Sequence, residues 1–106
     1  MVNQEIYKQL QKIGDRIKKE YHAEKVILFG SYAIGEATAD SDVDLFIVAP
    51  THERFFERMA TVRRLIRDLR NGLPVAPIVL TGKELERRNK AGDPFIQDIL
   101  ETGVPL

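Results

Sequence analysis

Apolar residues recur along this chain at two spacings, and the alternation of those spacings predicts its elements. Ile6, Leu10, Ile13, Ile17 and Tyr21 fall on one helical stripe with lysine and glutamate elsewhere, which predicts an amphipathic helix. Gly14 sits inside that stripe and weakens it. Val26, Ile27, Leu28 and Phe29 form a short apolar run that stops at Gly30 and reads as a buried strand, with a short helix or turn expected over 31–37. A second strand is expected over 42–48 (DVDLFIV), punctuated by Pro50 and Thr51. Phe55, Met59, Val62, Ile66 and Leu69 then mark the inner face of a long amphipathic helix, which Asn71 and Gly72 end. Residues 75–80 read as a third strand, and Pro77, lacking an N–H to donate, assigns it to a sheet edge. Thr81 with Glu84 fits a capping box for a short helix. Asp93 followed by Pro94 fits an N-cap with proline in the first turn, opening a last helix that Gly103 stops. Phe55, Phe56 and Phe95 are expected in the core.

The order helix, strand, helix, strand, helix, strand, helix, helix predicts an α/β domain of two or three layers with a small sheet. At 106 residues the chain has room for one domain, spanning 1–106, with a modest core. Burial against a partner subunit, a homo-oligomer included, could add to its stability. Lys plus Arg equals Asp plus Glu at 16 each, so the strongly basic footprint of a dedicated nucleic-acid binder is missing. The absence of cysteine excludes disulfides and thiolate metal sites. No apolar stretch approaches the roughly 20 residues that span a bilayer, and MVNQEIYKQL lacks the pattern of a secretory signal. The expectation is a soluble cytoplasmic protein without a membrane partner.

Chemistry concentrates in residues 26–48. Gly30 follows a strand directly, where it permits a sharp turn and close approach of a ligand to the backbone. Ser31 adds a hydroxyl where a helix N-terminus is expected, a setting suited to phosphate. Taken alone, this pair is better read as a plain strand-to-helix turn. Asp42 and Asp44 stand at positions i and i+2 of a strand, so their carboxylates share one face while Val43, Leu45 and Ile47 share the other. Two like charges in an element that disfavours aspartate point to a hard cation between them. The competing reading of that pair alone is two exposed aspartates at a strand start.

Gly30-Ser31, a spacer of ten residues and then Asp42-x-Asp44 with apolar residues between and after resemble the signature of the DNA polymerase beta-like nucleotidyltransferases. The chain is most similar to their small stand-alone branch, the minimal nucleotidyltransferases. The resemblance implies the nucleotidyltransferase fold, a small mixed sheet with flanking helices. It implies that Gly30 and Ser31 bind the triphosphate of a nucleotide, usually ATP. It implies that Asp42 and Asp44 are catalytic and ligate Mg²⁺ while a nucleoside monophosphate passes to a hydroxyl acceptor. It also implies a HEPN-type partner protein in a toxin–antitoxin pair, with this chain the antitoxin. Two positions depart from the family pattern. Ala76 stands where relatives carry a third carboxylate, and Ile34 where many carry arginine. An alternative is therefore a weakened or inactive module that binds nucleotide and partner and neutralises the partner by complex formation. Arg63, Arg67 and Arg70 form one helical stripe, read as a solvated face or as a nucleotide or acceptor contact. Tyr32 fits a core role or a contact to base or ribose. His22 and His52 read as surface residues.

Overall fold

The computed structural model describes residues 4–106 as a mixed sheet covered by helices on both faces. Its strands are β1 (Lys25–Phe29), β2 (Val43–Val48), β3 (Val75–Leu80) and the short β4 (Val104–Pro105), side by side in the order β3-β2-β1-β4. The helices are α1 (Gln4–Glu20), α2 (Ser31–Ile34), α3 (Phe55–Leu65), α4 (Arg67–Arg70), α5 (Gly82–Lys90) and α6 (Pro94–Thr102). β2 runs antiparallel to β1 and parallel to β3. β3 lies at the edge that Pro77 requires.

β2 is apolar at five of its six positions because both of its faces are covered. Val43, Leu45 and Ile47 pack with Leu10, Ile13 and Ile17 of α1 and Val62 of α3. Phe46 and Val48 pack on the opposite face with Leu80 and with Ile96 and Ile99 of α6. Each such aliphatic side chain contributes about 1.5–3 kcal/mol on full burial, so the two half-cores clamp the sheet between helices.

The capping expectations hold. Thr81 Oγ1 accepts from the Glu84 amide at 3.2 Å, Glu84 Oε1 accepts from the Thr81 amide at 2.7 Å, and Asp93 Oδ1 accepts from the Phe95 amide at 2.9 Å. Asn71 ends α4 in the left-handed conformation (φ 49°). The expected long helix is divided, since Ile66 leaves helical geometry at φ −109°, ψ 7° between α3 and α4. β4 was not expected. The chain after Gly103 returns beside β1, and the Leu106 amide donates to the Val26 carbonyl at 2.8 Å. Leu106 packs on Gly14, where a Cβ would come within 2.9 Å of the leucine Cβ. The glycine that weakens the first stripe thus makes room for the last residue.

The aromatic assignments need correction. Phe55, Phe56 and Phe95 are 47%, 72% and 43% exposed. The buried line of α3 runs through Arg58 and Val62 and continues to Ile66, at intervals of four, which turns Phe55 and Phe56 outward. Phe95 meets Phe29 edge-to-face, with ring centres 5.7 Å apart. Arg58 is buried because its charge is matched on every side. Its guanidinium bonds Glu84 at 2.6 Å, the Val79 carbonyl at 3.1 Å and the Glu53 carbonyl at 3.0 Å, joining α3, β3 and α5.

That bridge holds the Glu84 carboxyl down to about 2, chiefly through the hydrogen bond from Arg58. A carboxyl depressed on folding adds stability above its unfolded value and loses it as pH falls toward the folded value. Urea unfolding is expected to show wild-type stability declining from about pH 4.5 toward pH 2. Arg58→Met should lose about 2–4 kcal/mol at pH 7 and show less of that acid decline.

Candidate active site

The register across three strands decides which side chains meet. Phe29 of β1 pairs with Asp44 of β2, and Asp44 pairs with Ala76 of β3, so the three share one face in a row. The next row, Ile27, Phe46 and Ile78, belongs to the core under α6. Asp44 therefore lies one step beyond the covered part of the sheet, half-buried, with its carboxylate at the open end of that face.

Gly30 closes β1 with φ +74°, ψ −155°, a conformation that favours glycine. A Cβ there would overlap the Asp44 carboxylate oxygen Oδ2. The two motifs found apart in the sequence are thus in direct contact. The Gly30 carbonyl accepts from the Ala33 amide at 3.0 Å and from the Ile34 amide at 3.3 Å, which winds α2 tightly after the turn. Ser31, the first residue of α2, is partly exposed.

Asp42 stands one residue before β2 rather than within it, and it is exposed. The approach to it is pinned by a small turn. The Thr38 amide donates to Ser41 Oγ at 2.8 Å, and the Ser41 amide donates to the Thr38 carbonyl at 3.1 Å. The Val43 amide then donates to the Pro74 carbonyl at 2.7 Å and fixes this end of β2 against the start of β3.

Burial raises the pKa of the Asp44 carboxyl, and the negative charge of Asp42 raises it further. No lysine or arginine forms an ion pair with either aspartate among the described residues. Two unneutralised carboxylates that repel each other fit a divalent cation, which would relieve both terms. No cluster of three or more histidine, cysteine, aspartate or glutamate side chains suited to a metal occurs among the described residues. Ala76, beside Asp44 in register, supplies no ligand atom. The two carboxylates suit a hard divalent cation, which takes oxygen ligands.

A cavity of about 400 Å³ adjoins Asp42 on the β3 side. Ala76 and Val75 line it together with Arg63, Arg67 and Arg70. The sequence left that arginine stripe open between solvent and substrate. Spacing alone could not decide, because the wall exists only where the packing of α3 on β3 brings the stripe beside the start of that strand. Tyr32 also serves two settings, packing partly against the α1-side core and lining a hollow of about 480 Å³ beside α2. Ile34 is 57% exposed at the same hollow. His22 and His52 are exposed.

The model of the family described as "Nucleotidyltransferase domain" matches residues 10–105. Two proteins of Methanocaldococcus jannaschii, each named "putative protein adenylyltransferase", are similar in sequence. One is 34% identical over 93 residues, covering 85% of this chain and 58% of the relative. The other is 38% identical over 56 residues, covering 50% of this chain and 65% of the relative. The chain thus spans about three-fifths of the length of these relatives. The crystal structure of a "putative nucleotidyltransferase" from Sulfolobus solfataricus superposes with a TM-score of 0.57 at 27% identity, over 99% of this chain and 87% of that one.

Gly30→Ala tests the contact on which this geometry rests. It forces a side chain into positive φ and against the Asp44 carboxylate. A loss of about 2 kcal/mol or more is expected in thermal or urea unfolding.

Proposed function

The chain belongs to the nucleotidyltransferase domain family, and from that premise we propose that it transfers AMP from ATP to a hydroxyl group of a partner protein. The observation that carries this reading is the contact between Gly30 and Asp44, which sets a turn open to phosphate beside an unneutralised carboxylate pair. In the reaction the acceptor oxygen attacks the α-phosphorus and a new P–O bond forms. The bond from that phosphorus to the α,β-bridging oxygen breaks, pyrophosphate leaves, and the acceptor proton passes to solvent.

Each residue's part follows from its setting. Gly30 lets the phosphates approach the backbone, and the Ser31 hydroxyl donates to a phosphate oxygen. Asp42 and Asp44 would hold Mg²⁺, which when bound would neutralise charge on the triphosphate. Catalysis of this kind rests on positioning and charge neutralisation rather than on a covalent intermediate. The name borne by the M. jannaschii relatives supports a protein as acceptor. The likeness to minimal nucleotidyltransferases supports a HEPN-type partner in a toxin–antitoxin pair. A second reading, a nucleotide- and partner-binding module with little turnover, is favoured by Ala76, which stands in register beside Asp44 without a carboxylate.

ATP labelled at its α-phosphate, Mg²⁺ and the partner protein test the first reading. Label should move to the partner, and Asp44→Ala should reduce transfer on the order of a hundredfold or more. A stable complex with no label transferred by the wild type would leave only the binding module.

Ala76→Asp separates the two readings from the other side. A limiting third carboxylate predicts faster transfer in this variant, by about tenfold or more. The thermal shift given by ATP-Mg²⁺, about 2.7 kcal/mol at a hundred times the dissociation constant, reports binding separately. Unchanged transfer with ATP binding intact would show that position 76 does not limit the reaction.

A further inference from the structure

Strand order separates the two sides of the candidate site. Gly30 follows β1 and touches Asp44 from one side, whereas Ala76 lies beside Asp44 on β3, at the opposite side. At about 4.8 Å per strand, the glycine turn and the cavity over β3 are roughly 10 Å apart. A triphosphate on the glycine turn leaves the β3 cavity free for whatever receives the nucleotide.

The chemistry of that cavity is one-sided. Arg63, Arg67 and Arg70 face one carboxylate, Asp42, and none of the three arginines forms an ion pair among the described residues. Of the other arginines, Arg16 is neutralised by Asp68 and Glu20 and Arg58 by Glu84. The exposed Arg54, Arg64, Arg87 and Arg88, like the cavity three, form no ion pair among the described residues but line no part of this cavity. Two of the three cavity guanidiniums are held in place by main-chain carbonyls. Arg63 donates to Val75 at 3.4 Å and Arg70 to Leu73 at 3.1 Å. Guanidiniums fixed in this way lose less side-chain freedom on binding an anion.

Their arrangement selects among anions. From Arg63 on α3 to Arg70 on α4 the backbone advances about 10 Å at roughly 1.5 Å per residue across the break at Ile66, and all three side chains line the one cavity. An extended peptide covers that length in about three residues. A nucleic-acid strand would call for aromatic platforms, and no aromatic residue lines this cavity.

We propose that the Arg63, Arg67 and Arg70 wall binds carboxylates flanking the acceptor hydroxyl, so that the acceptor is an acidic segment of the partner protein. This rests on the transfer reading above and gives that reading its substrate class. The arginines are specificity residues. They attract the segment over Ala76 and reject basic sequences, and salt weakens the preference.

The test uses fluorescent peptides with one tyrosine flanked on each side by two glutamates, two glutamines or two lysines. Their binding is read by anisotropy in Mg²⁺ and a non-transferable α,β-methylene ATP. The glutamate peptide should bind wild type at least about tenfold tighter than the glutamine peptide. Arg67 is the variant of choice because it is exposed and makes no ion pair among the described residues. Arg67→Gln should shrink the preference, and Arg67→Glu should abolish it and favour the lysine peptide. Equal binding of glutamate and glutamine peptides overturns the proposal, as does a preference unchanged in Arg67→Glu. Displacement of the glutamate peptide by a single-stranded uridylate decamer at lower concentration would assign the wall to nucleic acid instead. The same peptides with labelled ATP separate this proposal from its premise. Arg67-dependent binding without label transfer would remove the transfer reading and leave the acidic-segment site in place.

Discussion

The backbone of Gly30 lies so close to the Asp44 carboxylate that no side chain fits between them, and the geometry of the candidate site follows from that contact. It requires a positive φ at the end of β1, and that turn sends the chain into α2. It also holds a carboxylate partly away from water, where burial and the neighbouring charge of Asp42 both disfavour ionisation. A fold that retains this arrangement carries local strain and unneutralised charge, the usual signature of a place kept for a ligand.

The contact is possible because β2 is anchored elsewhere. Its other residues are buried in two half-cores, one under α1 and α3 and one under α6. The ion pair of Arg58 with Glu84 ties α3 to α5 and β3 on the flank. These contacts fix the register, and the register aligns Asp44 with Phe29 on one side and Ala76 on the other. Ala76, which bears no carboxylate, is thus part of the row that holds Asp44. Two aspartates stand together there, and the cavity on the β3 side is lined by no acidic residue beyond Asp42 among the described residues.

Charge is divided across the site in a way the neutral total conceals. The carboxylates lie at the start of β2, and three arginines without an acidic ion-pair partner line the cavity beside them over β3. This arrangement favours a cation at the aspartates and an anionic group opposite.

The sequence by itself determined the elements with strong local signals. The period of α1, the apolar run of β1, the caps at Thr81 and Asp93 and the edge character of Pro77 depend on neighbours a few residues away, and each was legible. The spacing from Gly30-Ser31 to Asp42 and Asp44 marked the candidate site for the same reason. Tertiary structure decided what depends on partners distant along the chain. Phe55 and Phe56 face outward because Arg58, matched by Glu84 26 residues later, takes the inner line of α3. β4 forms because β1 has a free edge and Gly14 leaves room for Leu106, neither of which has a local pattern. The arginine stripe became the wall of a cavity only when α3 packed on β3 and brought it beside the start of that strand. Periodicity records which face of a helix is polar; only packing determines whether that face meets solvent or a site.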